Sequence, residues 1–83
     1  MEENRPVQTF RDGAVGASVW LRKTRAGVFY DVTIARAWKD EESGRAGYSQ
    51  TYSDYHLDPL IKVTRDAQLW IASQKANAET VVV

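Results

Sequence analysis

Two β-prone segments, residues 15–23 and 28–39, flank the tetrapeptide Thr24-Arg25-Ala26-Gly27, and the alternation of their side chains limits the fold more than any other feature. Val, Trp, Phe, Tyr, Thr and Ile dominate both segments, which suits a pleated, half-buried surface. Successive side chains of a strand point to opposite faces, so the two segments must agree in parity if they form one hairpin. Centring the turn on Arg25 and Ala26 sets Val19 opposite Val32, Ala17 opposite Ile34 and Leu21 opposite Tyr30. One face is thereby apolar. It is expected to continue in a last strand, residues 46–53, as Tyr48, Gln50 and Tyr52, with Arg36 and Trp38 toward the far end.

The remaining segments complete a small α+β unit. Residues 7–11 form a short candidate strand, followed by the turn dipeptide Asp12-Gly13. Residues 40–45, with Asp40, Glu41, Glu42, Ser43 and Gly44, supply the turn before the last strand. Asp58 is suited to cap a helix, Pro59 to open it, and Leu60, Val63, Ala67, Trp70 and Ile71 then fall on one helical stripe that runs to about Gln74 or Lys75. The expected order is ββββα, a curved four-stranded antiparallel sheet with one C-terminal helix over residues 7–75, and tails at 1–6 and 76–83.

The second face has the composition of a binding surface. Parity places Ser18, Trp20 and Arg22 on it, then Phe29, Asp31, Thr33, Ala35 and Lys39, and in the last strand Ser49, Thr51 and Ser53. Large aromatics set among hydroxyls and cations suit unpaired nucleic acid, because bases stack on rings while phosphates meet Arg or Lys. Eleven Lys and Arg balance 11 Asp and Glu, so the chain as a whole is neutral. The acids, however, gather at Glu2, Glu3, the 40–42 loop and the helix, whereas Arg11, Arg22, Lys23, Arg25, Arg36 and Lys39 sit in or beside the strands. Four strands span about 19 Å and one helix only about 10–12 Å, so a homodimer is the expected cover for the rest of the apolar face.

The stretches "TFRDG", "ASVWLRK", "GVFYDVTIARAWKD" and "LIKVTRDAQLWI" resemble small bacterial proteins with a purine-rich-element-binding or Whirly-like domain, a group that includes the positive-cofactor-four type coactivators. The resemblance spans roughly residues 7–71. It implies a ββββα unit, obligate intertwined pairing of two units, and binding of single-stranded DNA or RNA in transcription or nucleic-acid maintenance. Carried across, Trp20 and Phe29 match aromatic strand positions that stack, and Arg22, Lys23, Arg36 and Lys39 match basic strand positions. The connection "YSDYHLDP" departs from the shorter one of that group. Together the two readings nominate Ser18, Trp20, Arg22, Lys23, Phe29, Thr33, Arg36, Lys39 and Thr51 for contact with a single strand.

Other classes find little footing. His56 is the single histidine and cysteine is absent, so no metal site, cofactor or nucleophile–base pair is expected, and no enzyme. No apolar run reaches the roughly 18 residues of a membrane span, and residues 1–6 are too polar for a secretory signal, so a cytoplasmic location is expected. A protein-interaction or regulatory module is the alternative, favoured by the zero net charge; Trp20 and Phe29 would then be buried against a partner.

Overall fold

The computed structural model describes residues 5–81, with side chains described over 5–77. Four strands, β1 (Gln8–Asp12), β2 (Val15–Thr24), β3 (Gly27–Lys39) and β4 (Ala46–Ser49), form one antiparallel sheet in the order β1-β2-β3-β4. A 3-10 turn over Asp54–His56 leads into a single helix, α1 (Leu57–Val81). The ββββα order expected from the sequence is the order found.

Turn chemistry fixes the two hairpins. Between Asp12 and Val15 the chain reverses through Gly13 and Ala14, and Gly13 takes φ +63°, a left-handed conformation open to glycine without a Cβ clash. Between Thr24 and Gly27 the reversal is made by Arg25 and Ala26, and the Thr24 hydroxyl accepts the N–H of Ala26 at 3.1 Å while facing the Gly27 carbonyl at 3.3 Å. The register therefore pairs Val19 with Val32, Ala17 with Ile34 and Leu21 with Tyr30, as alternation about Arg25 and Ala26 requires.

The core lies between the sheet and α1. Val15, Ala17 and Val19 on β2 are fully buried, as are Val63 and Ala67 on the helix, with Phe10, Ile34, Tyr52 and Leu60 packed against the cluster of Val15, Ala17 and Val63. Full burial of each of these valines contributes about 1.5–3 kcal/mol. Trp70 meets Tyr30 edge to face, ring centroids 5.9 Å apart and planes at 88°. The helix lies mainly over β1 and β2, so Val28, Val32 and Trp38 on the same face of β3 stay exposed.

Three expectations are corrected. The 40–45 loop closes with the Asp40 N–H donating to the Arg45 carbonyl at 2.7 Å and the Gly44 N–H to the Asp40 carbonyl at 2.8 Å. That closure pairs Ala37 with Tyr48 and Arg36 with Ser49, so Tyr48 lies on the face away from the helix and Ser49 on the helix side, the reverse of the parity expected. Secondly, β4 stops at Ser49 instead of Ser53, and Tyr52 reaches the core after the strand has ended. Gly47 matters in this short strand, because the Trp38 ring lies so close that a Cβ there would stand 3.0 Å from it.

The third correction concerns the helix. Its buried stripe does end near Gln74, yet α1 continues to Val81, so most of the tail expected at 76–83 is helical, while Val82 and Val83 and residues 1–4 lie outside the described residues. Ala, Gln, Lys and Glu are good helix formers, and no Gly or Pro interrupts them after Pro59. Asp58 is in the first turn of α1 and not at its cap, where a carboxylate still complements the positive end of the helix.

Candidate nucleic-acid interface

The face of the sheet opposite α1 carries Thr9 and Arg11 from β1, Gly16, Ser18, Trp20 and Arg22 from β2, Phe29, Asp31, Thr33, Ala35, Ala37 and Lys39 from β3, and Tyr48 from β4. Nothing among the described residues covers it. Its centre is a shallow concavity of about 410 Å³. It is lined by the small residues Ala14, Gly16 and Ala35, by the hydroxyl-bearing Thr9, Ser18 and Thr33, and by the larger Trp20, Tyr48 and Arg11. That volume is within the range of about 300–1,000 Å³ found for small-ligand pockets.

Gly16 lines the concavity without adding a side chain to it. It sits in the middle of a central strand, a position where glycine often marks the close approach of another group. A Cβ built there meets Arg11 Cγ at 3.6 Å and the Phe10 carbonyl oxygen at 3.7 Å, both ordinary contacts, so packing within the sheet does not demand glycine.

Trp20 is half-buried and held in place: its indole Nε1 donates to the Thr33 hydroxyl at 2.9 Å. Tyr48 is 78% exposed and unrestrained by comparison. The concavity is thus framed by one fixed aromatic and one free to adjust.

Beside it lies a closed triad. Arg22 donates through Nε to Asp31 Oδ2 at 2.8 Å and through Nη2 to Asp31 Oδ1 at 3.1 Å. The same guanidinium sits 4.9 Å above the centre of the Phe29 ring. The Asp31 carboxyl is held below its usual range, chiefly by the hydrogen bond from Arg22, and the Arg22 guanidinium is raised chiefly by the same bond. Arg22 already has a counter-ion, and one face of Phe29 already has a cation.

Of the nine nominated residues, the fold brings Ser18, Trp20, Arg22, Phe29, Thr33 and Lys39 to this face. It separates the other three. Lys23 and Arg36 share the helix-side parity of Val15 and Val19, Lys23 exposed near the hairpin tip and Arg36 donating through Nε to the Thr51 carbonyl at 2.7 Å. Thr51 follows the end of β4, where its N–H donates to the Ser49 hydroxyl at 3.0 Å. Thr9, Arg11, Gly16 and Tyr48 were not among the nominees. Pairing Asp12 with Val15 across the first turn places Arg11 opposite Gly16, and a glycine inside the long second strand is a visible signal.

No group of three or more His, Cys, Asp or Glu among the described residues is arranged to hold a metal ion. His56 Nδ1 lies 2.8 Å from the Ser53 hydroxyl in the 3-10 turn, away from the concavity. No helix among the described residues is long and apolar enough to cross a membrane. A scan against family models finds no match, and searches of the curated proteins and of the solved structures find none either. Fold and surface define the chain as an α+β ββββα domain with an uncovered sheet face.

Proposed function

We propose that this domain binds single-stranded DNA or RNA on the uncovered face of its sheet, bases stacking at Trp20 and Tyr48 and phosphates meeting Arg11 and Lys39. The observation that carries the reading is the concavity itself, lined by two aromatic residues together with Gly16, Ala35 and hydroxyls. Stacking contributes roughly 1–3 kcal/mol per base and accepts any base, because each has a π-face.

The charge pattern gives this binding a character. With Arg22 engaged by Asp31, Arg11 and Lys39 are the cations of this face for which no ion pair is seen among the described residues. Two phosphate contacts on a single strand give a slope of log K against log salt of about −1.4, shallow for a nucleic-acid binder. Fluorescence anisotropy of a labelled single strand at several salt concentrations tests this. Saturable binding with that shallow slope supports the reading, and the absence of any binding at low ionic strength removes it.

A protein-interaction module is the second reading, favoured by the zero net charge of the chain and by the Arg22–Asp31 pair, which leaves this face only two uncompensated cations. A stoichiometric polypeptide partner that survives nuclease treatment and is lost in Trp20→Ala would favour it.

A further inference from the structure

Strand β3 is far longer than the strand that flanks it. It runs Gly27–Lys39, whereas β4 pairs only with Arg36, Ala37, Trp38 and Lys39, so the outer edge over residues 27–35 has no strand beside it. The hydrogen bonds show which groups are exposed there. The Ala37 N–H turns inward to the Ala14 carbonyl at 2.8 Å, and the Asp40 N–H turns outward to Arg45. By alternation Val28, Tyr30, Val32 and Ile34 each direct an N–H and a C=O outward, with no backbone partner among the described residues.

Natural sheets blunt such an edge with proline, bulges, lysine or a covering segment. Here the edge carries no proline or lysine, and its side chains include Val28, Phe29 and Val32, exposed by 53%, 40% and 38%. One charge, Asp31, stands at the middle, already compensated by Arg22.

We propose that the β3 edge pairs antiparallel with the same edge of a second copy, joining two sheets into one eight-stranded sheet. The occupant follows from the length of the edge: residues 27–35 are symmetric about Asp31, so a two-fold axis at that residue matches every open donor with an acceptor. Val28 then bonds Ile34 of the partner subunit and Tyr30 bonds Val32 of the partner subunit. On the helix side this covers the exposed Val28 and Val32, the strip that α1 leaves bare. On the other side Asp31 meets Asp31 of the partner subunit, and the cost of like charges face to face is offset by the Arg22 that each carboxylate already holds. The axis is perpendicular to the sheet, so both concavities open on one surface. Trp20 of each copy is one strand in from the axis strands, about 14 Å from the other at about 4.8 Å per strand.

The pairing involves no nucleic acid, so its test stands apart from that of the binding face. Sedimentation equilibrium of the full chain is expected to give twice the 9.4 kDa chain mass, and the double substitution Val28→Lys, Val32→Lys to return the single mass. The chain has no cysteine, so single replacements report the geometry. Asp31→Cys meets itself at a non-hydrogen-bonded site with Cα atoms about 4.5 Å apart, within disulfide reach. It crosslinks under mild oxidation, and Thr33→Cys, facing Phe29 of the partner subunit, does not. A chain that sediments at 9.4 kDa at every concentration loaded overturns the proposal. So does a dimer in which position 31 crosslinks no faster than position 33.

Discussion

The indole nitrogen of Trp20 donates to the hydroxyl of Thr33 across the β2–β3 pair at 2.9 Å, which fixes a large aromatic on the uncovered face before any ligand arrives. A ring held in one orientation loses little further freedom on binding, which favours stacking. Trp20→Ala is expected to weaken single-strand binding by about 1–3 kcal/mol, roughly 5- to 150-fold in Kd, and Trp20→Phe by much less. Thr33→Val, which removes the acceptor and keeps the shape, should have an intermediate effect. Anisotropy titrations of the three variants give the ranking.

Gly16 offers a substitution that fills the site. Its strand position needs no glycine, so Gly16→Val should leave the melting temperature unchanged or higher, because a β-branched residue suits a strand. The side chain would occupy the concavity that Trp20 and Tyr48 line. Loss of affinity on the order of tenfold or more, about 1.4 kcal/mol, with an intact fold is the expected result of paired binding and thermal-melt measurements. Undiminished binding would show that the ligand does not enter the concavity.

The Arg22–Asp31 pair gives a pH signature. The folded Asp31 carboxyl lies below its unfolded value of about 3.9, so the pair's contribution is present above that value and is lost as pH falls through the lower folded value. Carbon-detected NMR titration should place the Asp31 midpoint below about 3.9, and Arg22→Gln should bring it back toward that value. Equal midpoints in the two proteins would contradict the pairing. Both side chains are about half exposed, 51% for Arg22 and 49% for Asp31, so global stability should move little.

Ala67 lies on the buried face of the helix. It is 1% exposed beside the fully buried Val63, and a larger side chain has nowhere to go. Ala67→Leu is expected to cost about 1–3 kcal/mol through overpacking. In a domain of this size each kcal/mol lowers Tm by about 4–8 °C, which a urea or thermal unfolding curve resolves. Ala72→Leu, on the exposed side of the same helix, should have little effect.

What could be read from the sequence follows from how local the determinants are. The hairpin of β2 and β3 was legible to the residue, since a two-residue turn between long strands leaves only one parity. The helix was legible from Val63, Ala67 and Trp70, which the structure places against the sheet. Its length was not, because the stripe records contact with the sheet, whereas propensity alone carries the last turns to Val81. The face of Tyr48 is not legible, because a six-residue loop admits more than one register, and the closure between Asp40 and Arg45 selects it through backbone bonds that no side-chain pattern announces. Trp20 and its hydroxyl neighbours were found by parity, whereas Arg11 and Gly16 required carrying parity one strand further, across Gly13.

The three indoles of this chain provide the most direct examination of the binding face, because they occupy three different settings. Trp20 stands beside the concavity, Trp38 lies over Gly47 on the helix side, and Trp70 packs against Tyr30. In a proton–nitrogen NMR spectrum of the full chain, adding a short single-stranded oligonucleotide should shift the Trp20 indole signal progressively and leave the Trp70 signal in place. A Trp20 signal that stays fixed at saturating oligonucleotide would contradict the account.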